Sequence, residues 1–76
     1  MRREHRGAYA VTGRGGRRAV LHHYVDGRPL DTSHGTTFVD AQASFFVDGR
    51  AVNRVAKGRY RTRDGEELTS EDPAAP

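Results

Sequence analysis

The 76-residue chain contains no cysteine, no tryptophan and no isoleucine, and it has one methionine and one lysine. Without cysteine there are no disulfides and no thiolate metal sites, and the expectation is a cytoplasmic protein. Large apolar side chains are also scarce: seven Val, three Leu, three Phe and three Tyr. At roughly 2 kcal/mol for each one well buried, such a core exceeds the chain entropy it must offset only modestly. No apolar run approaches the about 20 residues of a membrane-spanning helix. The opening stretch, residues 1–11, is charged and lacks the apolar centre of a signal peptide. These absences leave a single small domain, with neither membrane association nor export expected.

What the chain does have is arginine, twelve residues against the one lysine. Charge is unevenly spread. Residues 1–63 hold all thirteen bases and five acids, a net of +8, whereas residues 64–76 hold five acids and no base. A basic body attracts polyanions, and an acidic tail competes with them for it. The tail is short of large apolar residues and ends in Pro-rich sequence, so it is expected to be flexible and disordered past Leu68. On that reading it lies transiently over the basic surface.

Turn signals are dense: Gly13-Arg14-Gly15-Gly16, Asp26-Gly27, Ser33-His34-Gly35, Asp48-Gly49, Lys57-Gly58 and Asp64-Gly65. Short runs of β-branched and aromatic residues lie between them, and no helical stripe is long enough to compete. The pattern predicts an all-β fold, a small antiparallel meander of about five strands, with an SH3-like barrel or roll as its expected form. The strands read as 7–12, 17–25, 36–47 with a break near Asp40, 50–55 and 59–63. Asp48-Gly49 fits a two-residue type I′ turn, which pairs Val47 with Arg50, Phe46 with Ala51 and Phe45 with Val52. Residues 24–30 echo residues 46–52 as aromatic-Val-Asp-Gly-Arg-x-aliphatic, and the echo reads as the same turn used twice. Pro29 then falls on an edge strand or loop. By period two, Tyr9, Val11, Val20, His22 and Tyr24 form the expected core face of the first hairpin.

Several residues invite chemistry. Arg14, Arg17 and Arg18 lie in a glycine-rich segment of RGG type, where arginines can approach phosphates closely. Arg59, Arg61 and Arg63 alternate with Tyr60 and Thr62, which stacks three guanidinium groups on one side of a strand. These six are the candidate nucleic-acid-binding residues. The aromatics can supply a stacking platform, but with so few apolar residues most are needed in the core. Phe45 and Phe46 must leave opposite faces of their strand. His22 and His23 also point to opposite faces and cannot share an ion, so no metal or other cofactor is expected. Asp31, Ser33 and His34 have the residue types of a catalytic triad but sit too close together in a loop, where turn chemistry explains them better.

The composition resembles that of small arginine-rich β-proteins of bacteria and their phages. The leading expectation is a non-enzymatic module that binds a polyanion, nucleic acid first among them. If six to eight arginines meet phosphates, affinity falls about 10³-fold or more between 50 and 200 mM salt. The alternative is a small protein-interaction or structural module that self-associates as a homodimer or joins a protein partner. Arginines gathered in one patch favour the first reading. Arginines interleaved with Asp26, Asp31, Asp40 and Asp48 would instead be a solubilising surface.

Overall fold

The computed structural model describes residues 2–76. The chain is almost entirely strand: β1 (Arg2–Thr12), β2 (Arg18–Thr32), β3 (Gly35–Val47), β4 (Arg50–Ala56), β5 (Arg59–Arg61) and β6 (Glu67–Thr69), with one 3₁₀ turn at Arg14–Gly16. Consecutive strands pair antiparallel in meander order. A bridge between Thr12 and Thr69 joins β6 back to β1 and closes a six-stranded barrel. No helix among the described residues is long and apolar enough to cross a membrane.

The β3–β4 hairpin forms in the expected register, with Phe45 opposite Val52, Phe46 opposite Ala51 and Val47 opposite Arg50. Asp48 and Gly49 both take positive φ, 53° and 75°, as a type I′ turn requires. Ser33-His34 turns the longer β2–β3 hairpin, where the Thr32 hydroxyl donates to the Gly35 carbonyl at 2.7 Å.

Asp26-Gly27, by contrast, makes no turn. It lies inside β2, opposite Gln42 and Asp40; in place of the expected break near Asp40, β3 bulges at Ala41 and stays continuous. Asp-Gly permits a tight turn without enforcing one, and the twelve residue pairs between β2 and β3, from Leu21 to Thr32, decide here. Pro29 does fall on an edge: among the described residues β1 reaches Gly27, and past that point β2 has β3 as its sole partner.

The core face of β2 is also the reverse of the expected one. The β1–β2 loop holds five residues, which sets Val11 opposite Ala19 and Tyr9 opposite Leu21. The expected grouping needed an even loop, and one residue of difference exchanges the two faces. Leu21 is therefore buried, and Val20 is 47% exposed on the outside. The core is Val11, Leu21, Phe45, Val47, Val52, Tyr60 and Leu68, with Tyr9 and Ala19 packed against it.

The acidic tail is folded, contrary to expectation. It supplies β6, whose Leu68 is fully buried. Beyond it Ser70 donates to the Gly58 carbonyl at 2.8 Å, and Gly58 donates to the Pro76 oxygen at 3.0 Å. The buried Tyr60 hydroxyl donates to the same Pro76 oxygen at 2.6 Å. One buried leucine and a set of backbone bonds outweigh the polar composition on which the disorder reading rested.

Candidate nucleic-acid interface

The six expected arginines are not brought together. Arg14 and Arg17 sit in the β1–β2 loop, and Arg63 follows β5 at the same end of the barrel. Arg17 and Arg63 line a cavity of about 530 Å³ there, together with Arg50 and the acids Asp48, Asp64 and Glu66. Arg18 points outward from β2, since its neighbour Ala19 faces the core. Arg59 and Arg61 point outward from β5, on either side of buried Tyr60. In a ring of six strands β5 stands opposite β2, so these two sets face away from each other. Arg63 lies beyond the end of β5 and does not extend the stripe.

Acids occupy several of the guanidinium groups. Glu66 accepts from the Arg14 backbone at 3.0 Å and from the Arg17 side chain at 2.8 Å. Glu67 accepts from Arg59 at 2.7 Å. The tail contacts are thus fixed parts of the fold rather than transient. Arg3 pairs with Asp26 at 3.0 Å, Arg6 with Asp40 at 2.7 Å, and Arg17 also approaches Asp48 at 3.9 Å. Basic and acidic groups are interleaved, and the six arginines do not form one contiguous patch. Among the described residues the guanidinium groups of Arg14, Arg18, Arg61 and Arg63 have no carboxylate within 4 Å.

A different constellation lies on the outer face of β1, β2 and β3. Three rows run across these strands: Phe46, His22 and Ala8; Ser44, Tyr24 and His5; Gln42, Asp26 and Arg3. The rings form one connected group. His5 lies 5.1 Å from Tyr24 and 5.3 Å from His22, and Tyr24 meets Phe46 edge-on at 5.6 Å. His5 Nε2 and His22 Nδ1 are 3.2 Å apart, so one ring donates and the other accepts. The Arg3 guanidinium spreads over both Tyr24 and Phe46, at 5.9 and 5.6 Å from their centroids. Ala8, Ala10 and Ala51 flank the rings on the same face.

A β-bulge assembles this group. The register of β1 shifts at Arg6, between His5 and Gly7. Below it Tyr9 and Val11 face the core; above it Arg3 and His5, also odd-numbered, face outward beside Tyr24 and His22. Bulges re-aim side chains in this way. The chain carries no local sign of the extra residue, so sequence reasoning missed the grouping. The detectable half was that Phe45 and Phe46 leave opposite faces of β3, which follows from strand alternation.

His23, on the inner side, stacks on Phe45 at 4.9 Å. Burial, then Arg6 and His5, holds its pKa below the ordinary 6.5. The Tyr60 phenol is pushed above 10, chiefly by burial. Among the described residues no group of three or more His, Asp or Glu side chains is arranged to hold a metal ion.

Fold and face together define a small closed β-barrel carrying an arginine-capped aromatic and imidazole cluster on its outer surface. No known protein family, curated protein or solved structure matches the chain.

Proposed function

We propose that the protein is a non-enzymatic module that binds single-stranded nucleic acid on the outer face of β1–β3. The observation that carries this reading is the Arg3, His5, His22, Tyr24 and Phe46 cluster, whose rings are half-buried or exposed and lie outside the core. Small barrels of the general kind that includes SH3-like folds use such faces. Flat rings and a guanidinium plane stack on unpaired bases, and nearby cations meet the backbone. Ser44 and Gln42 add hydrogen-bonding groups in the same rows. Arg18, outward on β2 beyond Val20, is the one residue of the expected six on this face, and it meets phosphate in this arrangement. A cytoplasmic location belongs to the same proposal and rests on the absence of cysteine.

Fluorescence anisotropy of a labelled 12-nucleotide strand tests it. Tyr24→Ala and Phe46→Ala are each expected to weaken binding about 5- to 150-fold, the range for loss of one base–aromatic stack. Arg18→Ala is expected to reduce the salt slope by about one. The dependence on salt is shallower than a six- to eight-arginine footprint would give. Binding that is equal for wild type and both ring variants, or tighter for duplex than for single strand, rejects the proposal.

A further inference from the structure

The long β2–β3 hairpin projects from the barrel as an arm. The chain spans 53 Å in its longest direction, and its radius of gyration is 14.7 Å. A compact domain of this length has about 11 Å. Past Gly27 the arm has only two strands, and a lone two-stranded ribbon is marginal in water. It nonetheless carries Leu30 and Phe38, each 47% exposed.

Among the described residues, β1, β2 and β3 each have an open edge, and these differ. β1 touches β6 at Thr12 alone, but its free edge begins Arg-Arg-Glu-His-Arg and contains the bulge at Arg6. Charge and a bulge are what keep an edge from pairing. The distal edge of β2 is blocked by Pro29 and carries Arg28. β3 meets β4 only from Phe45 onward, which leaves Gly35–Ser44 open. That stretch has a single charge, Asp40, and no lysine, arginine or proline.

Its backbone is also oriented for pairing. Pro29 lies opposite Phe38 and has no N–H to give. A pair can hold proline without losing a ladder bond when its amides point away from the partner. Alternation then turns the N–H and C=O of Thr36, Phe38 and Asp40 toward the free edge.

We propose that this edge of β3 pairs antiparallel with the same edge of a second copy about a two-fold axis at Phe38. Phe38 then faces its own counterpart, and Thr36 faces Asp40. The contact is isologous and uses up the edge in both copies, so assembly stops at the dimer. Charge selects this edge over β1. Pairing through β1 would bring Arg2, Arg3 and Arg6 of the two copies together. Pairing through the arm sets Asp40 of each copy against Thr36 and leaves Arg2, 5.6 Å from the Phe38 centroid, beside the axis.

Sedimentation equilibrium in 0.5 M salt after nuclease treatment tests the proposal, because those conditions remove association through nucleic acid. The wild-type chain is expected to have twice its sequence mass. Phe38→Pro removes an outward N–H without touching the β2 ladder and is expected to give a monomer with unchanged circular dichroism. A second variant does not depend on how proline is tolerated. The natural chain has no cysteine, so Phe38→Cys supplies one thiol per copy, at a Cα separation of about 5.5 Å across the axis. Mild oxidation is expected to cross-link it at least tenfold faster than Val55→Cys, which is exposed on the barrel. A wild-type monomer at 200 μM, an assembly larger than a dimer, or equal cross-linking of the two cysteine variants overturns the proposal.

Discussion

His23 shows how one side chain can set the acid limit of the fold. It is stacked on Phe45 in a partly buried position, with Arg6 and His5 adding positive potential. The unfolded chain takes up its proton first as pH falls through 6.5, and the folded protein resists it. Stability from this residue is therefore complete above 6.5 and is lost as pH falls through the lower folded value. Urea midpoints measured between pH 7.5 and 5 should fall, and His23→Gln should flatten the fall. An unchanged profile in the variant would place the acid sensitivity elsewhere. His22, the next residue, faces outward and packs with His5 and Tyr24. The sequence makes clear that neighbouring histidines part company, but not which one enters the barrel. That depends on whether the β1–β2 loop holds four residues or five.

Among the elements, the two hairpins around β3 divide what sequence reveals from what it hides. Asp48-Gly49 specifies β3–β4 pairing to the residue, because the turn type, the loop length and the parity of the faces are one choice. The same dipeptide at Asp26-Gly27 says nothing reliable, since a long partner strand holds it extended. The β1–β2 loop hid its register in glycines that accept several turn geometries. It is fixed instead from outside by Glu66, more than fifty residues away in sequence. Gly13 makes room for that contact. A Cβ there would lie 2.5 Å from Glu66 Oε2 and 3.0 Å from Leu68 Cδ2. Gly13→Ala should therefore destabilise the fold by about 1–3 kcal/mol, the usual range for overpacking. Glu66→Ala in the same chain should recover part of the loss, a non-additivity that a double-mutant cycle in urea measures directly. Strict additivity would mean that the loop does not depend on the carboxylate.

At the level of the whole molecule, charge segregation in sequence becomes charge interleaving in space. The acidic residues that seemed a detachable tail are the last stave of the barrel, with Glu66 and Glu67 on Arg17 and Arg59. Removing them to expose a basic surface would remove Leu68 as well. Truncation after Arg63 should thus leave a chain without a cooperative thermal transition. Leu68→Ala should cost about 2–5 kcal/mol, a large part of the roughly 4–11 kcal/mol available to a chain this short. The single bridge between Thr12 and Thr69 also carries information about time. Every other strand pairing is local, whereas this one joins residues 57 apart in sequence. The cost of closing so long a loop is met only after the meander has formed. Closure should then follow the rate-limiting barrier. In stopped-flow experiments Leu68→Ala should speed unfolding while leaving the refolding rate nearly unchanged, and Phe45→Leu in the β3–β4 hairpin should slow refolding. The opposite assignment would make the last strand part of the folding nucleus.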